Sequence, residues 1–161
     1  MEAPPFAYRV ADRLLAGPYP GRWSDEESVV GLRALRNAGV TLFVDLTVPG
    51  ELQPYHHLVG EARHGRWPIP DMDIPSPEQM TELLDAIDAE LEGAGGVYVH
   101  CWAGRGRTGT VVGCWLVRHG LAGVDALTQI VSLRRALADG YASSPQTGAQ
   151  RAMVLRWKSG T

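Results

Sequence analysis

Val97-Tyr98-Val99-His100-Cys101-Trp102-Ala103-Gly104-Arg105-Gly106-Arg107-Thr108-Gly109 passes from a short β-branched, apolar stretch into a glycine-spaced loop. Residues 108–118 (TGTVVGCWLVR) follow and are apolar nearly all round, the pattern of a helix buried on every side. The order is strand, loop, helix. Gly104 and Gly106 let the loop backbone curl so that successive N–H groups converge. The helix start adds its own unpaired N–H groups and the positive end of its dipole. The predicted product is an anion cradle of phosphate size, with Cys101 at its base and Arg107 at its rim. Such a cradle favours a cysteine thiolate, the form that attacks an electrophile. An arginine can grip two phosphoryl oxygens at once, a geometry that lysine lacks.

Outward from this centre, the pattern predicts alternating strands and helices. Residues 6–16 read as two short strands around Ala11-Asp12-Arg13. Ser24-Asp25-Glu26-Glu27 is a capping-box pattern opening a helix to about Ala38, and residues 41–46 (TLFVDL) read as a buried strand. Residues 47–66 are polar and proline-bearing, a surface loop with room for a short edge piece. Residues 67–75 are extended and proline-braced. Ser76-Pro77-Glu78-Gln79 opens a second helix, with Met80, Leu83, Leu84, Ile87 and Leu91 along one face. Two further helices are predicted over about 123–138 and 144–157, the second capped by Ser144-Pro145. The expected fold is α/β, with a central, mostly parallel sheet of four to five strands flanked by helices. Residues 1–161 read as a single domain, with 158–161 as a frayed tail.

Composition sets bounds on partners. The formal net charge of −3 gives no global field for nucleic acid or an anionic membrane. Lys158 is the only lysine among the 15 basic residues. No apolar run reaches the ~18 residues of a membrane span, and the N-terminus lacks the pattern of a signal peptide. Cys101 and Cys114 make no disulfide framework, so a reducing, cytoplasmic setting and a monomer are expected. Cys114 reads as a core residue of the buried helix, with a disulfide to Cys101 as the rival reading. His56, His57 and His64 fall in polar loop without a metal-site spacing, and His119 suits a helix C-terminus.

His100-Cys101 through Arg107-Thr108-Gly109 resembles the H-C-x5-R-[ST]-G signature of the protein tyrosine phosphatase superfamily, most of all its dual-specificity and kinase-associated branches. The resemblance implies hydrolysis of phosphomonoesters through a cysteinyl-phosphate intermediate, without metal or organic cofactor. It implies that His100 orients Cys101 and favours its ionisation, and that Thr108 hydrogen-bonds the sulfur and helps it leave. Trp102, Ala103, Gly104, Arg105 and Gly106 would form the substrate-binding loop, with Arg105 adding a cation beside the cradle. Residues 67–75 resemble the family's general-acid loop, pointing to Asp71, with Asp73 as the rival. Gln146-Thr147-Gly148-Ala149-Gln150 resembles a motif that positions the hydrolytic water, implying Gln146 and less so Gln150; a plain helix start reads equally well. Residues 46–52 loosely resemble the family's strand and loop before the pocket. The tyrosine-recognition loop of the larger tyrosine-specific enzymes is not recognisable, so a shallower pocket is expected. Phosphorylated proteins are the expected substrates. An inositide or other small phosphate is the alternative, followed by a non-catalytic phosphoprotein-binding module. A sulfurtransferase also uses a loop cysteine, but the Arg107-Thr108-Gly109 ending and the upstream acid favour phosphoryl chemistry.

Overall fold

A computed structural model describes residues 2–161. The chain opens with a hairpin of β1 (Tyr8–Ala11) and β2 (Leu14–Gly17), turning at Asp12-Arg13, where Arg13 adopts a left-handed φ of 61°. Then come α1 (Asp25–Asn37), β3 (Leu42–Asp45), a 3-10 turn at His56–Leu58 and β4 (Arg63–Arg66). The remainder is α2 (Pro77–Glu92), β5 (Val97–His100), α3 (Arg107–Arg118), α4 (Gly123–Arg134) and α5 (Gly148–Arg156). The five strands lie in the order β1-β2-β5-β3-β4. Only β1 runs antiparallel to its neighbour; β2, β5, β3 and β4 are parallel. The expected mostly parallel sheet is thus observed, and the edge piece foreseen within 47–66 is β4.

Side-chain alternation divides the core. Leu14, Ala16, Leu42, Val44, Val97 and Val99 face one side of the sheet and pack with α2, α3, α4 and α5. Leu15, Phe43 and Tyr98 face the other side and pack with Leu32 and Leu35 of α1. This is the period-two rule of a pleated strand, and every residue of β2, β3 and β5 is buried. Helix α3 is buried along all but its last residue, as its uniform apolarity predicts. The four parallel strands send their C-terminal ends to one edge, where ligands of open α/β sheets bind.

Three boundaries differ from expectation. Helix α4 stops at Arg134, whose buried guanidinium donates to Ala142 O and pairs with Asp139, each at 3.0 Å, so the chain turns back there. Helix α5 begins at Gly148. Its cap is Thr147, not Ser144-Pro145, because Thr147 and Gln150 satisfy each other's backbone N–H groups in a full capping box. Residues 158–161 turn back onto the ends of α3 and α5. Gly160 N donates to Arg118 O (3.0 Å), and Thr161 O accepts from Arg118 Nε (2.6 Å) and Trp157 Nε1 (2.9 Å).

Candidate active site

Strand β5 ends at His100 in the middle of the sheet, and Cys101 follows at 3% exposure. The loop after it is held from three directions. Trp102 O accepts from Tyr19 N (2.9 Å), and Arg105 O accepts from Ser144 Oγ (2.6 Å). Gly104 takes a φ of 72°, and a Cβ there would stand 2.4 Å from the carbonyl carbon of Gly17. Only glycine fits that approach. Gly106 then caps α3, whose first residue is Arg107. Thr108 Oγ1 donates to Cys101 Sγ at 3.0 Å, as the resemblance implies.

Arg107 is buried and its guanidinium is fully oriented. Nη1 and Nη2 donate to Oε1 and Oε2 of Glu51 at 2.8 and 2.7 Å, and Nη1 also donates to Ile69 O at 2.9 Å. Burial opposes the charge on Arg107, but the Glu51 hydrogen bonds and the neighbouring anionic groups more than restore it. In return, the Arg107 hydrogen bonds hold the Glu51 carboxyl below its usual range. Arg107 Nε has no partner although it is buried. Such an orphan donor, beside a helix N-terminus and a cysteine sulfur, is what a phosphate oxygen would satisfy.

Asp71 and Asp73 are separated by the structure. The carboxylate of Asp71 stands 3.3 Å from Arg107 Nη2, half exposed at the mouth of the cradle. Each carboxylate accepts from the next backbone N–H, Asp71 from Met72 N (2.9 Å) and Asp73 from Ile74 N (2.8 Å), but the contact with Arg107 is made by Asp71, while the Asp73 carbonyl accepts from Gln150 Nε2 (3.3 Å). The left-handed φ of 66° at Met72 turns the chain between them, so the extended segment foreseen for 67–75 is broken there.

His100 is buried, and burial pushes its imidazole down toward the neutral form. It bonds the carbonyl of Cys101 through Nδ1 (3.0 Å) and Tyr55 Oη through Nε2 (2.5 Å), not the sulfur. With Nδ1 donating to a carbonyl, Nε2 accepts from the Tyr55 hydroxyl. His100 is thus a buried ring that ties the Cys101 carbonyl to the Tyr55 hydroxyl, one residue from the sulfur. Beneath it, Asp45 accepts from Thr47 N and Oγ1 (2.9 and 2.6 Å), His64 Nε2 (2.9 Å) and Arg66 (3.2 Å). Burial disfavours the Asp45 carboxylate, but the His64 bond and the Thr47 donors outweigh that and hold its pKa far below normal.

Arg105 lies at the side of the loop that meets residues 143–146. Its Nε donates to Ser143 O at 3.3 Å, drawing the side chain toward the 143–146 loop. Gln146 Oε1 would lie 2.6 Å from a Cβ on Gly106, so Gln146 does reach the cradle. The Gln150 side chain also lies against Gly106, at 3.0 and 3.1 Å from the same position, with its Oε1 serving the α5 cap and its Nε2 donating to Asp73 O. Trp102 and Ala103 are exposed at the rim. Cys101 and Cys114 are free thiols, and burial pushes Cys114 up to about 12, an inert core sulfur. His57 pairs with Asp25, and His119 with Asp88, away from the cradle. Glu51, Tyr55 and Asp45 were the functional neighbours that motif reading passed over. The one signal for Glu51 was an acid within the 46–52 stretch, too short a pattern to single out.

A cysteine and an arginine framing one cradle at the C-terminal edge of a parallel sheet define the architecture of a cysteine-dependent phosphatase. Residues 22–121 match the family described as a polymorphic toxin system DSP-PTPase phosphatase. Mouse dual specificity phosphatase 28 is 30% identical over 141 residues, which cover 84% of this chain and 77% of that protein. Protein 067L of Invertebrate iridescent virus 3 is 34% identical over 116 residues, covering 68% of this chain but 45% of the relative. The chain thus spans less than half the length of 067L, and the same holds for other curated relatives. The crystal structure of Tk-PTP in its active form superposes with a TM-score of 0.76 at 26% identity, covering 93% of this chain and 94% of that one. This chain belongs to the dual-specificity branch of the protein tyrosine phosphatase superfamily.

Proposed function

We propose that the chain is a phosphomonoester hydrolase acting on phosphotyrosine, and also phosphoserine or phosphothreonine, in proteins. The observation that carries this is the buried Cys101 sulfur beneath an Arg107 whose Nε is unpartnered while both Nη atoms are fixed. Phosphate oxygens would take Arg107 Nε and the loop N–H groups. In the first step the Cys101 thiolate attacks phosphorus, the P–O bond to the leaving group breaks, and Asp71 protonates the departing oxygen. In the second, a water attacks the cysteinyl phosphate and Asp71 takes its proton. The S–P bond then breaks, and Thr108 Oγ1 stabilises the returning thiolate. Gln146, which lies against Gly106, would orient that water. Arg107 holds equatorial charge throughout, strengthened by its low-dielectric surroundings.

The proposed chemistry asks for no group from a second subunit, and the reading is a monomer with one catalytic domain over residues 1–161. The chemistry needs a reduced thiol, so the site of action is a compartment that keeps thiols reduced, the cytoplasm of the cell in which it works. No helix of the described residues is long and apolar enough to cross a membrane.

Hydrolysis of para-nitrophenyl phosphate in the presence of a chelator tests the reading. Turnover should persist with the chelator, be blocked by vanadate, and vanish in Cys101→Ser. Metal-dependent turnover, or retained turnover in the variant, would remove Cys101 chemistry from the account.

A further inference from the structure

Beside the cradle lies a cleft of about 340 Å³ walled by Tyr19, Arg22, Trp23, Leu52, Gln53 and Trp102. Two of its walls are continuous with the reacting groups, since Trp102 follows Cys101 and Leu52 follows Glu51, which grips Arg107. Trp23 is 95% exposed and Trp102 62% exposed, so two of the largest apolar side chains flank one opening without covering. Such a patch beside a site marks a place where something else is buried.

The segment bearing Trp23 is not slack. Tyr19 N is tied to Trp102 O at 2.9 Å, and Arg22 N to Ser28 Oγ at 2.7 Å. Ser24 then caps α1 by accepting from Glu27 N at 3.2 Å. The indole is thus presented on a backbone fixed on both sides, and binding would cost little ordering. The cleft has little use for a second anion. Its only cation, Arg22, turns its Nη1 back to Gly21 O at 2.8 Å. Aromatic and aliphatic walls with one internally engaged charge suit an apolar side chain.

We infer that this cleft is a specificity subsite for the large apolar residue flanking the phosphoresidue of a peptide substrate, with Trp23 and Trp102 as its jaws. The inference rests on the phosphatase reading and adds to it a sequence preference. Substrates carrying phenylalanine, tryptophan or leucine beside the phosphotyrosine are preferred over those carrying glycine or aspartate.

The test compares kcat/KM for paired phosphotyrosine peptides that differ only in phenylalanine or glycine next to the phosphotyrosine, the change being made on each side in turn. Para-nitrophenyl phosphate serves as a substrate without flanks. The phenylalanine peptide should be favoured about tenfold on one side, the order of effect that burying one large apolar side chain supplies, chiefly through KM. Trp23→Ala should bring that ratio close to one, and Trp23→Phe should keep most of it. Because the side chain is solvent-exposed, truncation spares the core, and an unchanged melting temperature verifies this. A ratio near one in the native protein, or a ratio unmoved by Trp23→Ala, overturns the subsite while leaving the phosphatase reading intact. Absence of turnover on all substrates, para-nitrophenyl phosphate included, overturns both.

Discussion

Glu51 fixes both Nη groups of Arg107 through one carboxylate and leaves Nε as the unpartnered donor of the guanidinium. Glu51→Ala should therefore lower kcat/KM by about tenfold to a hundredfold, the scale of losing an aligned charge-stabilising donor. Vanadate affinity should fall in parallel, whereas a purely structural loss would lower the melting temperature and spare anion affinity per folded molecule. Gly104→Ala meets two penalties at once, a left-handed φ of 72° and a carbonyl carbon at 2.4 Å. It should destabilise the fold by about 2 kcal/mol by chemical denaturation, and it should weaken catalysis because the loop must move. At this scale the sequence is most legible where spacing encodes geometry: Cys101, Arg107 and Thr108 are brought together by one strand end, one loop and one helix start. It was least legible for Glu51, Tyr55 and Asp45. Those side chains reach the centre through tertiary contacts spanning tens of residues, which no local pattern records.

Among the elements, β3, β5, α2 and α3 could be read directly, because each is a run of uniform or periodic apolarity ended by a clear breaker. Strand β4 could be read only as a possibility. As Arg63-His64-Gly65-Arg66 it carries no apolar signal, and it pairs as an edge strand because β3 offers a free edge. The start of α5 was misplaced because Ser144-Pro145 mimics a cap, while the reciprocal pair Thr147 and Gln150 three residues later is the one used. Thr147→Ala should cost about 1 kcal/mol in chemical denaturation. By loosening the segment that carries Gln146, it should also slow dephosphorylation of the enzyme more than its phosphorylation, seen as a larger burst of phenol relative to steady turnover. An unchanged burst would separate α5 from the second step.

Over the whole molecule, one face of the sheet carries α1 and the other four helices, while the four parallel strands converge on the edge where the chemistry is placed. That layout was predictable from the alternation of elements; the strand order was not, since it depends on which apolar edges meet. Acid acts on the fold through His100. Burial lowers its folded pKa below the ordinary value of 6.5, so the unfolded chain binds a proton that the folded chain refuses. Stability contributed by neutral burial is complete above about pH 6.5 and is lost as pH falls from there toward the folded pKa. His100→Asn should flatten the slope of unfolding free energy between pH 7 and 5 by up to about 1.4 kcal/mol per pH unit; an unaltered slope would place the acid sensitivity elsewhere. The proposed chemistry depends on a covalent bond between phosphorus and one sulfur. Acid-quenching the enzyme during turnover of an aryl phosphate and weighing the intact protein and its peptides should find one added phosphoryl group on the peptide holding Cys101. A quenched enzyme without that adduct, while Cys101→Ser still turned over the same substrate, would contradict it.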